Sequence, residues 1–402
     1  MTKSTKTVAV IGGGAAGFFG AIACAQRFPG CEVTIFEKSP NLLAKVRVSG
    51  GGRCNVTHDC PAVPPLLKGY PRGSRELKGA FHQFGVADTV RWFEERGIAL
   101  KTEADGRMFP TSNSSQTIVD CLYGEARSAG VRIVTRAGVT GIEVNEQGPQ
   151  RFTLHLLNHP DFPCDAVLVA TGGNPSLAAY RWLEELGHAI VPPVPSLFTF
   201  NVPENGLSDL AGVAERGPVL VTHWGLSGPA VLRLSAWAAR ELNQAAYQFT
   251  ALVNWLPSVS DEELRTQFMA LRESDGKKAV AANPKGNLPA RLWKRLTERA
   301  GITPETRWAD LPRKNFNRLV EELKAGNFAV AGKTTYKEEF VTCCGVALSE
   351  INPDTMESRR CPGLFLAGEV LDADGITGGY NFQHAWTSGY LAGQHLGKTL
   401  EA

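Results

Sequence analysis

Three glycines near the start of the chain have the spacing that binds a pyrophosphate. Gly12, Gly14 and Gly17 fit the pattern G-x-G-x-x-G and directly follow the apolar run Val8–Ile11. The first glycine of this pattern permits a tight turn, the second lets the backbone approach phosphates, and the third lets the next helix pack closely on the sheet. Glu37 follows Gly17 by 20 residues, where a carboxylate accepts hydrogen bonds from ribose hydroxyls. The sequence therefore predicts a dinucleotide site.

Three later segments have the same glycine-rich character. They are Ser49–Arg53, the end of DAVLVATGG (Asp165–Gly173), and the stretch Gly368–Asn381. FAD needs separate contacts for its ADP half, its phosphate arm and its isoalloxazine ring. Several glycine-rich turns are therefore explained better by FAD than by a mononucleotide. Only one complete G-x-G-x-x-G is present. We therefore predict that FAD is tightly bound and that NAD(P)H binds only transiently.

Three side chains are candidates for proton transfer. His223 stands beside the turn GLSGP, and histidine titrates near neutral pH. Tyr380 lies in the last glycine-rich segment, and His384 follows that segment by three residues. We predict these three as the catalytic set, with His223 first.

The nine cysteines suggest a second chemistry. Cys54 and Cys60 follow the Ser49–Arg53 loop with the spacing C-x5-C, and Cys343 and Cys344 are adjacent. A thiol–disulfide flavoenzyme is therefore an alternative. The irregular spacing contains no zinc-type pattern, so we expect reduced thiols and no metal.

The elements that must position these residues alternate between buried strands and helices. Val8–Ile11, Glu32–Phe36, the apolar start of Asp165–Gly173, and Gly363–Glu369 are typical of strands buried on both faces, which indicates an α/β protein with a parallel sheet. The segment VPPVP at 191–195 marks an insertion. We predict an FAD-binding domain in two parts, 1–193 and 341–402, around an insert at 194–340. The insert is expected to be β-rich at 194–256 and 326–340 and helical at 257–325.

Composition limits the other classes of function. The chain has 402 residues, 43% of them hydrophobic, and a net charge of +2. This charge gives no electrostatic reason to expect a nucleic acid or an anionic membrane as partner. No apolar run reaches the ~18 residues of a membrane span. We expect a cytoplasmic protein with a small-molecule substrate, and the oligomeric state stays open.

Three motifs resemble the signatures of a bacterial flavoprotein family. They are SGGGRCNVT (Ser49–Thr57), THWGLSGP (Thr222–Pro229) and the long segment Thr355–Gly393. The family includes enzymes similar to aminoacetone oxidase and a bile-acid enone reductase. The resemblance implies a two-part Rossmann-like FAD-binding domain of the glutathione reductase type, with a β-barrel-like insert that carries a small helical subdomain.

The resemblance also implies which residues contact FAD. Gly12, Gly14, Gly17 and Glu37 would bind the ADP half. The full predicted set is Gly12, Gly14, Ala15, Ala16, Gly17, Glu37, Lys38, Lys45, Ser49, Gly50, Gly51, Gly52, Arg53, Cys54, Asn55, Val139, Ala170, Thr171, Gly172, Gly368, Glu369, Asp372, Gly378, Gly379, Tyr380 and Asn381.

Two positions depart from the family pattern. The family usually has Gly-Gly-Val where this chain has Cys344-Gly345-Val346, and an apolar residue where this chain has His384. Both departures lie near the expected flavin.

Together these observations predict an FAD-dependent oxidoreductase. It would transfer a hydride between a small organic substrate and the flavin, as an oxidase or as an NAD(P)H-linked reductase. A thiol–disulfide flavoenzyme that uses Cys54 and Cys60 and a non-enzymatic FAD-binding module are the alternatives.

Overall fold

A computed structural model describes residues 6–148, 150–202, 215–334 and 341–398. The last residues of the predicted insert, 335–340, lie outside the described residues.

The described residues contain helices α1 (Ala15–Arg27), α2 (Ala44–Gly52), α3 (Val63–Leu67), α4 (Lys78–Gln83), α5 (Val86–Glu94), α6 (Ser115–Ser128), α7 (Arg181–Glu185), α8 (Pro229–Trp237), α9 (Ala239–Gln244), α10 (Asp261–Ser274), α11 (Ala290–Arg299), α12 (Arg313–Ala325) and α13 (Tyr380–Leu396). Short 3₁₀ turns cover Leu177–Tyr180, Leu348–Glu350 and Gly368–Val370.

The strands are β1 (Lys6–Ile11), β2 (Cys31–Glu37), β3 (Thr57–His58), β4 (Leu100–Thr102), β5 (Arg107–Pro110), β6 (Arg132–Thr135), β7 (Val139–Val144), β8 (Phe152–Leu156), β9 (Phe162–Cys164), β10 (Ala166–Val169), β11 (Ile190–Ser196), β12 (Thr199–Asn201), β13 (Leu220–Val221), β14 (Gly225–Ser227), β15 (Gln248–Val253), β16 (Gly326–Ala331), β17 (Lys333–Thr334), β18 (Val341–Val346) and β19 (Leu364–Leu366).

A five-stranded sheet organises the fold, as the buried apolar runs predict. Its strand order is β19-β10-β1-β2-β6, and every pair in it is parallel. The chain places β2 and β6 on one side of β1, and later β10 and β19 on the other. The order therefore reverses between β1 and β10, and ligands of doubly wound sheets bind at such a switch point. The predicted α/β class with a Rossmann-like parallel sheet is confirmed.

Helices α1 and α13 cover one face of this sheet and pack against each other at very short range. A Cβ added to Gly389 would lie 2.6 Å from the carbonyl oxygen of Ala16, and one added to Gly393 would lie 2.4 Å from that of Gly20. Glycine at these positions lets the two backbones approach. As a result, the first and last helices of the chain form one layer beside the switch point.

Residues 190–346 contain three short sheets and a separate helical cluster. The sheets have the orders β13-β14-β12-β17, β15-β16 and β11-β18. Helices α10, α11 and α12 bury their own apolar core, which includes Phe268, Trp293 and Trp308. This arrangement agrees with a β-rich insert carrying a helical piece, while the exact domain boundaries remain a prediction. Among the described residues, no helix has the length and apolar character to cross a membrane.

Candidate functional site

A cavity of about 620 Å³ opens at the switch point. This volume lies within the range of small-molecule and cofactor sites. Its wall consists of Gly12, Gly13, Gly14, Ala15, Ala16, Glu37, Lys38, Ser39, Asn41, Leu43, Ala44, Lys45, Val46, Val48, Ser49, Gly50, Asn55, Arg107, Ala170, Thr171, Gly172, Gly173, Leu197, Thr199, Ser227, Leu232, Thr334, Val341, Ala367, Gly368, Glu369, Ala373, Ile376, Thr377, Gly378, Gly379, Asn381, Phe382, His384 and Ala385.

The turn between β1 and α1 has room for a ligand. Gly12 has φ +112°, and a Cβ there would lie 2.3 Å from the carbonyl oxygen of Ala170. A Cβ on Gly17 would lie 1.9 Å from the carbonyl oxygen of Gly12, whereas one on Gly14 would meet no atom within 4 Å. Helix α1 has no side-chain cap and no acidic residue in its first turn. Its free N–H groups and positive end therefore suit an anion such as a pyrophosphate.

Glu37 closes one end of the cavity at the tip of β2. Its carboxylate accepts hydrogen bonds from the backbone N–H groups of Gly13 (2.9 Å) and Ser39 (2.8 Å). These bonds fix the orientation of the carboxylate, and each oxygen retains a lone pair for a further donor. The arrangement suits the ribose hydroxyls that the sequence predicts here.

The segment before the second glycine cluster differs from its predicted form. The sequence suggests a flexible loop over Ser39–Thr57, but helix α2 occupies Ala44–Gly52 up to a break at Ser49. Gly50 and Gly51 have φ of +59° and +69°, so the chain reverses there without steric cost. A Cβ on Gly50 would lie 2.7 Å from the Phe109 ring. Gly50 is thus packed in the turn, whereas a Cβ on Gly51 or Gly52 would meet no atom within 4 Å.

The last glycine cluster leads into α13. Gly379 has φ +99°, and a Cβ there would lie 2.4 Å from the carbonyl carbon of Thr57. The Asn381 side-chain amide bonds both to the N–H and to the carbonyl of Gly375, each at 2.8 Å. These contacts hold the N-terminus of α13 at the cavity.

Most predicted cofactor-binding residues lie in the cavity wall, and eight do not, of which Tyr380 is described below with the catalytic residues. Gly17 lies under the first turn, Gly51 and Gly52 face away from the wall, and Val139 lies in β7. Cys54 is fully buried. Arg53 covers the Phe109 ring at 3.9 Å and pairs with Glu103 at 2.5 Å. The seventh, Asp372, pairs with Arg240, whose Nη2 lies 2.8 Å from each carboxylate oxygen.

Two of the three predicted catalytic residues are also outside the wall. His223 is exposed in the β13–β14 hairpin, with its ring centroid 5.9 Å from that of Trp224. Tyr380 stacks on His58 with ring centroids 4.8 Å apart, and burial raises the pKa of its hydroxyl to about 12. The sequence predicts His223 because it is close to a glycine turn. In the structure, however, Ser227 of that turn lines the cavity and His223 does not.

His384 lies in the cavity wall as a neutral, buried imidazole. Burial lowers its pKa from 6.5 to about 4, so it is not an acid at neutral pH. Its Nε2 lies 3.3 Å from the carbonyl oxygen of Gly368. Because a carbonyl only accepts, Nε2 carries the proton and Nδ1 is an acceptor. Nδ1 has no hydrogen-bond partner within the described part of the chain.

We expect His384 to make the protein less stable in acid. The unfolded chain binds a proton near pH 6.5, whereas the folded protein resists it until about pH 4. The free energy of unfolding should therefore fall by up to about 3 kcal/mol as pH drops through this window. His384→Leu should flatten that fall, measured by urea unfolding at pH 7, 6, 5 and 4.

Burial also lowers the pKa of His188, which the wild type and His384→Leu both contain. The difference in pH dependence between the two proteins therefore reports on His384. Equal pH dependence in the wild type and His384→Leu would contradict this assignment.

The cysteines give little support to the thiol alternative. Burial raises the pKa of Cys54 to about 12, so its reactive thiolate form is strongly disfavoured. Cys60 has its nearest polar contact with the carbonyl oxygen of Ala62 at 3.9 Å. The Sγ atoms of Cys343 and Cys344 are 3.4 Å apart, but neither residue is in the cavity wall.

Sequence reasoning also missed residues of the insert, within 197–334, that line the cavity. Leu197, Thr199, Ser227, Leu232 and Thr334 line the cavity from the insert. Ser227 lies in the quoted motif THWGLSGP, which is a signal that could have found it. Nothing local marks Thr199 or Thr334, because only the packing of the insert brings them to the wall.

The parallel sheet, the glycine turn at its switch point and the cavity define a Rossmann-fold nucleotide-binding protein. The chain belongs to the HI0933-like Rossmann family, a family of flavoprotein oxidoreductases. The family model, described as HI0933-like protein Rossmann domain, matches residues 6–395. The resemblance read from the motifs is thereby confirmed.

Several curated proteins are similar along nearly the whole chain. A 3-dehydro-bile acid delta(4,6)-reductase of Clostridium scindens is 28% identical and covers 96% of this chain and 98% of its own. A ribosomal RNA dihydrouridine synthase of Escherichia coli is 32% identical, covering 96% and 97%. The protein of that name from Haemophilus influenzae is 31% identical, covering 95% and 96%.

Solved structures share the fold at low identity. A flavocytochrome c3 fumarate reductase superposes with a TM-score of 0.51 at 18% identity, covering 99% of this chain and 79% of its own. A 3-ketosteroid-delta4-(5alpha)-dehydrogenase of Rhodococcus jostii has a TM-score of 0.51 at 14% identity, covering 98% of both chains. At this identity the likeness shows the fold alone.

Proposed function

We propose that this protein binds FAD in the cavity and reduces a carbon–carbon double bond that is conjugated to a carbonyl group. The observation that carries this proposal is a reaction shared by two relatives with different substrates. One name describes a reductase of Δ4,6 double bonds in a 3-dehydro bile acid. The other describes formation of dihydrouridine in ribosomal RNA. Both reactions saturate a double bond conjugated to a carbonyl.

The residues of the cavity suit FAD at its dinucleotide end. Glu37 would hold the adenosine ribose, and the turn at Gly14 with the free N-terminus of α1 would hold the pyrophosphate. Lys45 and Glu369, which pair at 2.5 Å across the cavity wall, would flank the ribityl chain. Ser49, Gly50, Gly378 and Asn381 would surround the ring.

The bound flavin would supply a hydride to the substrate, and the protein would supply orientation and polarisation. We infer that the substrate is reduced rather than oxidised, because both relatives' names describe saturation of a double bond. NAD(P)H would bind only transiently to reduce the flavin again, since the sequence contains only one complete G-x-G-x-x-G motif.

The proposal predicts selective reoxidation of the reduced protein. The purified protein is reduced with NADPH without oxygen and then mixed with 2-cyclohexenone, a 3-oxo-Δ4 steroid, or ribosomal RNA transcribed in vitro. We expect at least one of the three to restore the oxidised flavin spectrum at least 10-fold faster than the saturated ketone cyclohexanone. Mass spectrometry should show a product two hydrogens heavier.

The RNA arm also tests the expected absence of a nucleic-acid partner. That expectation came from net charge, and dihydrouridine in the RNA product would overturn it. Absence of bound FAD, or reoxidation that does not distinguish cyclohexenone, steroid and RNA from cyclohexanone, would overturn the proposed function.

A further inference from the structure

Two hydroxyl groups of the insert stand in the cavity wall. Thr199 lies in β12 and Ser227 ends β14, and both line the cavity. Their Oγ atoms are 3.0 Å apart, which is hydrogen-bond distance. Neighbouring strands of one four-stranded sheet hold them, with Phe200 paired to Leu226.

A count of protons shows that this pair retains one donor. Each hydroxyl has one proton, and their mutual bond uses one of the two. Thr199 is buried, with 2% of its surface exposed, whereas Ser227 is half-buried. We therefore assign Thr199 as donor to Ser227, which leaves the Ser227 proton for a group in the cavity.

The neighbouring residues favour a neutral substrate with an electron-rich oxygen. The insert residues of the wall are Leu197, Thr199, Ser227, Leu232 and Thr334, and none of them is charged. Thr334 already donates its proton to Oδ1 of Asn201 at 2.7 Å. Among the described residues of the insert that line the wall, Ser227 therefore supplies the hydroxyl donor that remains available.

Helix α8 strengthens this environment. Its N-cap is Gly228, directly after Ser227, and Leu232 in its second turn lines the cavity. The positive end of a nine-residue helix therefore lies beside the Ser227 hydroxyl. Negative charge that develops on an oxygen near Ser227 would be stabilised by both groups.

We propose that Ser227 is a catalytic hydrogen-bond donor to the carbonyl oxygen of an uncharged α,β-unsaturated substrate, and that Thr199 positions it. The inference rests on the proposed function. A bound reduced flavin would supply the hydride that adds to the β-carbon, and this transfer would oxidise the flavin. The double-bond electrons would move toward the carbonyl to give an enolate with negative charge on its oxygen, and a proton from solvent would then add to the α-carbon. Ser227 stabilises the enolate oxygen, as preorganised donors do in other enzymes.

Phenols test this assignment without turnover, because a phenolate resembles an enolate in shape and charge. We expect the FAD-loaded protein to bind 4-chlorophenol more tightly than 4-chloroanisole, which cannot ionise, when measured by calorimetry at several pH values. Ser227→Ala should weaken 4-chlorophenol binding at least 10-fold and leave 4-chloroanisole unchanged. Ser227→Thr should restore most of the affinity, and Thr199→Val should lose about threefold.

Thr222→Val is the matched control. Thr222 lies in the same hairpin, but its hydroxyl bonds the backbone of Gly225 at 3.1 Å and it is not in the cavity wall. The Thr222→Val protein should bind 4-chlorophenol and 4-chloroanisole with the same affinities as the wild type. Reoxidation of reduced Ser227→Ala by an active substrate should be about 10²-fold slower, with NADPH reduction of the flavin unchanged.

The outcomes separate the two proposals. Failure of the wild type to prefer 4-chlorophenol, or wild-type affinity in Ser227→Ala, overturns the role of Ser227. Failure of the protein to bind FAD, or of its reduced flavin to respond to any conjugated substrate, overturns the proposed function itself.

Discussion

Gly14→Leu should abolish FAD binding while leaving the fold intact. The side chain would project into open space, because a Cβ at Gly14 meets no protein atom within 4 Å. Its backbone has φ −95° and ψ −169°, which a leucine adopts without strain. The same open space is where a pyrophosphate must approach the turn. We expect FAD affinity to fall at least 100-fold, about 2.7 kcal/mol.

Two measurements distinguish lost binding from lost folding. FAD affinity is obtained by titrating the cofactor-free protein and following flavin fluorescence. The free energy of unfolding without FAD should change by no more than ~1 kcal/mol, the scale of an N-cap substitution. Gly30→Leu is the matched control, since Gly30 also has no atom within 4 Å of an added Cβ and lies outside the cavity wall. If Gly14→Leu retained its affinity for FAD, the cofactor would not contact this turn.

The second large effect concerns a buried ion pair between Arg72 of the N-terminal segment and Asp374 of the C-terminal segment, which also bonds to residues of the insert. Nε and Nη2 of Arg72 both donate to the Asp374 carboxylate, which is fully buried. Nη2 also donates to the carbonyl oxygen of Ala236 at 2.7 Å, and Ser196 donates to Asp374 at 3.0 Å. Asp374 follows Ala373, which lines the cavity. This network therefore fastens the insert beside the site.

Asp374→Ala should lower the free energy of unfolding by about 3–5 kcal/mol, because it leaves the Arg72 guanidinium buried without its counter-ion. Urea unfolding measures the change. Glu298→Ala is the control, since Glu298 pairs with Arg295 at the surface at 3.4 Å, and removing exposed pairs costs less than ~1 kcal/mol. The double substitution Arg72→Met/Asp374→Leu should cost less than Asp374→Ala alone. A loss in Asp374→Ala no larger than in Glu298→Ala would contradict a buried, energetically coupled pair.

Sequence patterns predicted the dinucleotide end of the site well because its rules are local. The run Val8–Ile11, the turn at Gly12 and the acid Glu37 lie within one strand–helix–strand unit, and the structure places Gly12 and Glu37 in the cavity wall. In such a unit, hydrogen bonds and steric limits between near neighbours set the geometry. The short helix that begins at Ala44 was missed because it breaks at Ser49 and three glycines follow, which weaken the helical signal.

The side of the cavity that the insert forms depended on contacts that no sequence pattern records. His223 and Ser227 stand four residues apart in one motif, yet only Ser227 lines the cavity. The pairing of Val221 with Leu226 in the hairpin decides which of the two residues, His223 or Ser227, faces the cavity. Thr199 meets Ser227 only because β12 and β14 pair across 28 residues.

The sequence alone therefore predicted the fold class and the glycine turn that the structure places in the cavity wall, where short-range backbone geometry is sufficient. Only the tertiary structure decided which side chains complete the cavity, since long-range packing brings together residues such as Thr199, Ser227 and Ala373. It also showed that Asp372 and Asp374 pair with Arg240 and Arg72 of distant segments. A charge buried by packing needs a partner that packing also supplies, and that partner can come from anywhere in the chain.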